Sequence, residues 1–166
     1  FDIYQGSKGP QNIYQEEYGL GGRVVLPFSE SLHRDGILPH HLFADNYFMP
    51  LKLVVDKCSD FGIGIAGTIR SNRVEKCPLK AEIAVKKDPR GSYDMKHDKD
   101  RELIICRWND NSVVTIVSNC ESVEPLCKVQ RYSASETKSS SVPQPQIMKA
   151  YTYKLGETDR LAQNLN

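Results

Sequence analysis

Long apolar runs, net charge, paired cysteines and tryptophan are what this 166-residue sequence has least of. No stretch approaches the ~18 consecutive apolar residues of a membrane-spanning helix, and no charged, apolar and small-residue succession marks a secretory signal. With 22 basic against 21 acidic side chains the net charge is +1, which selects no class of partner by itself. Cys58, Cys77, Cys106, Cys120 and Cys127 are odd in number, widely spaced and contain no CxxC pair, and no HxxxH lies near them. Neither a disulfide framework nor a zinc module is indicated, and the cysteines fit small buried apolar residues of a reducing compartment. GxSxG, P-loop and metalloprotease patterns are missing, as is any internal repeat of useful period.

What is present is ordinary for one folded domain. Apolar residues make up 39%, charged residues 26%, and the chain of 18.8 kDa is long enough to bury a core without staples. Phe1-Asp2-Ile3-Tyr4 reads as the inside of a strand, so the sequence is expected to be a fragment of a longer protein. The charge is local: residues 1–69 hold 5 basic and 8 acidic side chains, residues 70–107 hold 11 and 7, and residues 108–166 hold 6 and 6. The basic middle could face phosphate or be a solvated, salt-laced surface.

Patterning gives a coarse layout. Residues 1–5 read as a strand, broken by the Gly/Ser/Pro run at 6–11. Val24, Val25, Phe28 and Leu32 predict a short helix over 22–34, with Pro27 as a kink or late start. His41 to Asp45 reads as a buried strand ending in the polar pair Asp45-Asn46. Leu51, Val54, Val55 and Cys58 follow at helical spacing, and Phe61 to Ile69 alternates Ile with Gly or Ala, as in a strand closely approached by its neighbours. Strand, helix, strand in this order predicts a parallel pair. Glu102–Trp108 and Ser112–Ser118 are β-rich runs around the turn Asn109-Asp110-Asn111. Residues 132–145 are Ser-rich with two prolines and read as a connector, and two helices, 147–155 and 158–165, are expected to divide at Gly156.

Four motifs stand in order along this layout: Phe43-Ala-Asp45-Asn-Tyr-Phe48, GTIRSNR at 67–73, RWNDNSVVTIVSN at 107–119, and the run Tyr151-Thr-Tyr-Lys-Leu-Gly-Glu-Thr-Asp159-Arg-Leu-Ala-Gln. As an ordered set covering essentially the whole chain, they resemble the transposase domain of the PiggyBac family and its transposable-element-derived relatives. The resemblance implies an α/β fold with an RNase H-like (DDE transposase) core, a mixed β-sheet and flanking helices, interrupted by a β-rich insertion. It places residues 1–70 in the first part of the core, 71–131 in the insertion, 132–146 in a Ser/Pro-rich linker and 147–166 in the C-terminal helical part.

The resemblance further implies metal-dependent cut-and-paste DNA transposition at TTAA targets. Three aspartates would hold Mg²⁺ or Mn²⁺, because in-line displacement at phosphorus needs hard cations and hard cations need oxygen ligands. Asp45 matches the second aspartate and Asp159 the third; the first is expected upstream of Phe1, so the fragment alone is expected to be inactive. The family's Met-Gly-Gly-Val-Asp is here Leu155-Gly156-Glu157-Thr158-Asp159, and a further family aspartate is replaced by Ala162. Glu157 would be strained if its backbone were left-handed. Those departures support an alternative, a domesticated non-catalytic protein that binds DNA or other partners. Arg70, Arg73, Lys154 and Arg160 are expected DNA contacts, and transposon ends, a second copy of the chain and a nuclear location belong to the same expectation. Trp108, Tyr93 and Tyr132 could stack on bases, although a lone hairpin Trp is more often a local core anchor. His40 and His41 point to opposite faces of a strand and are not expected to share a metal.

Overall fold

The computed structural model describes residues 13–37, 39–54, 60–74, 76–133 and 137–164, apart from the side chains of 13, 14, 53, 133 and 158–164. In chain order the elements are α1 (Ile13–Asp35), β1 (His41–Ala44), α2 (Leu51–Leu53), β2 (Gly64–Thr68), a 3-10 turn (Ser71–Arg73), α3 (Glu82–Lys87), β3 (Tyr93–Asp98), β4 (Leu103–Asn109), β5 (Val113–Ser118), β6 (Cys127–Ser133), β7 (Lys138–Gln144) and α4 (Gln146–Asn164). The expected strand at 1–5 lies outside the described residues, as do positions 55–59 of the expected helix after β1.

Five strands form one mixed sheet in the order β1-β2-β5-β4-β3, and β6 and β7 form a separate hairpin. β1 and β2 are parallel, with Phe43 opposite Ala66 and Ala44 opposite Gly67, as the strand-helix-strand pattern predicts. The other pairings in the sheet are antiparallel. Period-two alternation then sorts the side chains to two faces. Leu103, Ile105, Val117 and Ile65 pack with Tyr18, Val25 and Leu26 of α1 and with Met49 and Val54. Cys106, Trp108 and Ile116 pack on the opposite face with Val142 of the hairpin and Ile147 and Met148 of α4.

β3, β4 and β5, from residues 93–118 of the expected β-rich insertion, continue the sheet of β1 and β2. Three expectations change. The Ser/Pro-rich segment is largely strand: Ser139, Ser140 and Ser141 pair with Tyr132, Arg131 and Gln130, and Pro143 is accommodated in a two-stranded hairpin, where both strands are edges. α4 runs unbroken through Gly156, so the two expected C-terminal helices are one and Glu157 sits in helical backbone without the anticipated strain. α1 begins at Ile13, not at 22, and its non-helical residue is Gly19 (φ 70°) with Pro27 lying inside the helix. Glycine reaches positive φ at no steric cost, which is why the break falls there.

A candidate active site at the end of the first strand

Asp45 directly follows β1, at the end of the sheet where β2 also terminates. One of its oxygens, Oδ1, accepts the backbone N–H of Tyr47 at 2.8 Å, and its carbonyl accepts the N–H of Phe48 at 3.1 Å. This is an Asx turn, the locally favoured use of an Asp-Asn pair. The turn ties up one lone-pair direction of Oδ1; the carboxylate remains exposed, and Oδ2 has no protein partner among the described residues.

Two glycines hold this turn from either side. A Cβ on Gly21 of α1 would stand 2.5 Å from the Tyr47 carbonyl oxygen and 2.7 Å from the Phe48 Cα, and one on Gly67 of β2 would collide with the Ala44 carbonyl oxygen and the Met49 side chain. The backbone presenting Asp45 is therefore packed directly against helix and strand backbone.

Arg70 and Arg73 converge on the neighbouring residue. Arg70 Nε donates to Asn46 Oδ1 at 3.0 Å, and Arg73 Nη1 donates to the Asn46 carbonyl at 3.3 Å. Both arginines are exposed, so two guanidinium groups are gathered on Asn46, the residue after Asp45, with donors to spare.

From the other side comes α4. The Tyr151 hydroxyl lies 3.0 Å from Thr68 Oγ1, the last residue of β2. Burial pushes the Tyr151 hydroxyl pKa up, the Thr68 hydrogen bond offsets part of that, and the Asp45 carboxylate adds a further upward push. That electrostatic coupling places Tyr151 within the field of Asp45. One turn beyond Tyr151, Leu155 joins Val24, Phe28, Phe43, Phe48 and Asp45 around a cavity of about 460 Å³. Asp159 lies one further turn along the same helical row; its side chain and that of Arg160 fall outside the described residues.

The remaining sequence candidates are placed elsewhere. Lys154 pairs with Glu157 at 3.3 Å and lies over the Tyr153 ring, on a part of α4 facing His41 and Pro39 instead of Asp45. Trp108 is 3% exposed and its Nε1 donates to the Pro143 carbonyl at 2.9 Å, so it anchors the hairpin to the sheet. Tyr93 donates to Glu124 Oε1 at 2.9 Å, and Tyr132 is 61% exposed. No group of three or more histidine, cysteine, aspartate and glutamate side chains among the described residues is placed to hold a metal ion. The donor chemistry of Asp45, a hard carboxylate at a fixed strand end, fits magnesium in kind, but the described residues do not complete a coordination shell. Thr68, Asn46, Gly21 and Tyr151 were not singled out as site residues from the sequence; the one available signal is that Tyr151 precedes Asp159 by two helical turns.

A mixed sheet with a carboxylate at the end of its edge strand, and a helix carrying a second aspartate packed across it, defines the RNase H-like class of fold. The comparisons narrow this: the family described as Transposase IS4 matches residues 1–166, and the chain belongs to that family, of piggyBac type. It is 40% identical over 166 residues to human PiggyBac transposable element-derived protein 3, covering 100% of this chain and 27% of that protein. It is 40% identical over 146 residues to human PiggyBac transposable element-derived protein 2, covering 88% of this chain and 24% of the relative. The fold matches a cryo-EM structure of the piggyBac transposase synaptic complex with hairpin DNA at a TM-score of 0.61 and 20% identity, covering 96% of this chain and 29% of that one. The chain thus spans about a quarter of the length of the curated relatives it matches.

Proposed function

We propose that this chain forms part of the catalytic core of a DNA transposase, with Asp45 and Asp159 as two of its metal-binding carboxylates. The observation that carries the reading is the placement of Asp45: exposed, fixed by its Asx turn, followed by Asn46 on which two arginines converge, and set across a cavity from Leu155 of α4. A strand end gives a carboxylate a rigid position while leaving it open to a groove. β1 has no strand on its outer side among the described residues, which leaves backbone groups on which a further strand of the whole protein, bearing the first aspartate, would pair.

Magnesium or manganese, when bound, would stabilise the attacking and leaving oxygens of an in-line displacement at phosphorus. The chain's own residues supply the rest. Asp45 offers oxygen ligands, and Arg70 and Arg73 meet phosphate oxygens of the strand being cut, for which a planar fork of donors is suited. Transposon ends and a TTAA target as the DNA, a second copy of the chain as partner, and residence in the nucleus complete the reading.

The test uses the intact protein with transposon-end DNA in Mg²⁺ or Mn²⁺. Cleavage and strand transfer should be lost in Asp45→Asn and in Asp159→Asn, with DNA affinity measured in the absence of metal unchanged. An Asp45→Asn variant that cleaves like the parent would sink the assignment. Salt-sensitive DNA binding without any cleavage by the parent itself would establish the domesticated reading instead.

A further inference from the structure

The geometry points to Tyr151 and Thr68 as a pair of positioning residues whose hydroxyl–hydroxyl hydrogen bond sets the distance between the Asp45 and Asp159 backbones. This rests on the reading of those two aspartates as a ligand pair.

Three observations carry it. First, the parallel register puts Phe43 beside Ala66 and Ala44 beside Gly67, so one step further Asp45 stands beside Thr68 at the same strand ends. Second, the Tyr151 hydroxyl reaches Thr68 Oγ1 at 3.0 Å across 83 residues of sequence, and it does so from a half-buried position within the field of Asp45. Third, the buried apolar contacts of α4, Ile147 and Met148, lie in its first turn, before Tyr151. Beyond that anchored turn the Tyr151 ring packs half-buried against the same cluster, and its hydroxyl adds a directional tie to the end of β2; Leu155 borders the cavity.

The lever arm shows why a tie matters. Asp159 lies eleven residues beyond Met148 in the anchored first turn, about 16 Å at 1.5 Å per residue. A tilt of α4 by only ~5° about that turn would move the Asp159 backbone by about 1.4 Å, and a displacement of about 1 Å can already cost about 100-fold in rate. The bond at Tyr151 lies beyond the pivot and so resists that tilt. Each hydroxyl can both donate and accept, so either can be the donor of this bond, and the O–H of the accepting partner is left for a further acceptor.

The experiment compares Tyr151→Phe, Thr68→Val and the double variant in the intact protein. The readouts are Mn²⁺ affinity by electron paramagnetic resonance, metal-dependent DNA cleavage, metal-free DNA affinity and thermal unfolding. Each single variant should weaken Mn²⁺ binding by about threefold to tenfold, the effect of one lost hydrogen bond. The double variant should be no worse than either single one, because all three remove the same bond. Cleavage should slow by more than the loss of Mn²⁺ affinity at saturating metal, while metal-free DNA affinity and the unfolding temperature stay near the parent's. Parent-like Mn²⁺ affinity and cleavage in Tyr151→Phe would overturn the positioning role, as would fully additive losses in the double variant. Asp45→Asn separates the two levels of inference: if it binds Mn²⁺ like the parent, the ligand reading fails; if it is defective while Tyr151→Phe is normal, only the positioning role fails.

Discussion

Replacing Gly21 by alanine should loosen the turn that presents Asp45, even though the same change in an open helix stabilises. The added Cβ would sit 2.5 Å from the Tyr47 carbonyl oxygen and 2.7 Å from the Phe48 Cα, where ordinary contact begins near 3.4 Å. Close to 1 Å must therefore be regained, and both obstructing atoms are backbone. Alanine in a helix interior gains about 0.5–1 kcal/mol over glycine, while forcing an extra carbon into a filled site costs about 1–3 kcal/mol. The balance is a loss of about 1–2 kcal/mol, concentrated on the turn. Gly156 is the control, because it lies in α4 with nothing within 4 Å of its Cβ position, so Gly156→Ala should gain the helical term alone. Native-state hydrogen exchange reads the outcome at two defined amides, those of Tyr47 and Phe48, which donate to Asp45 at 2.8 and 3.1 Å. Their protection should fall by about 5–30-fold in Gly21→Ala, the factor equivalent to 1–2 kcal/mol, and be unchanged in Gly156→Ala. If Gly21→Ala raises stability and leaves both amides protected, the turn is not clamped by α1 and the packing argument is wrong.

Further outcomes follow from single contacts. Asp110, 13% exposed, accepts from Arg90 Nε at 2.7 Å and from Arg131 Nε at 2.9 Å, joining the sheet to the β6–β7 hairpin. Asp110→Ala should strand two partly buried guanidinium groups and cost about 1–3 kcal/mol in urea unfolding after allowance for solvent screening; no measurable loss would show the clamp to be idle. Trp108→Phe should lose about 1 kcal/mol with its bond to Pro143 and leave DNA affinity unchanged, whereas a large affinity loss would restore the stacking role. Arg70→Ala and Arg73→Ala should each weaken DNA binding and lower the salt slope by about 0.9, and an unchanged slope in both would remove them from the phosphate contacts. Burial pushes the Cys106 thiol up to about 12 from 9.0, so the folded state keeps a proton that the unfolded state releases. That contribution to stability is whole below pH 9 and is lost as pH rises toward 12, so Cys106→Ala should flatten the alkaline decline, and iodoacetamide at pH 8.5 should spare Cys106 until the chain unfolds.

Legibility along the chain follows the range of the interactions that decide each element. The parallel pair β1–β2 was readable because its cause is local: short apolar runs flanking a helical period, with glycines where Gly67 meets Ala44. The hairpin turn at Asn109–Asn111 was readable for the same reason. Residues 138–144 were not, because serine and proline weakly favour a connector, and what overrides them is a partner strand and the burial of Val142 against Trp108 and Ile116. The sheet membership of β3 to β5 is likewise a tertiary fact, since charge and turn signals in residues 71–100 mark a change of texture without saying which strands will pair.

The site divides along the same line. Asp45 carries its own local signature, an Asp-Asn pair after an apolar strand, and that signature is ambiguous because the Asx turn and the ligand role ask for the same residue at the same place. The Asx turn forms, consuming one hydrogen-bonding direction and holding the carboxylate exposed, which is compatible with the proposed ligand role. Tyr151 carries no such mark, since an aromatic residue on an amphipathic helix reads as core unless the position of its hydroxyl is known. Its partner Thr68 lies 83 residues away, at the end of a strand whose register is set by β1. A role defined by the distance between two strand ends and a helix becomes visible only when all three are assembled, which is why the helix bearing Asp159 was identified from its motif and its tie to the sheet was not.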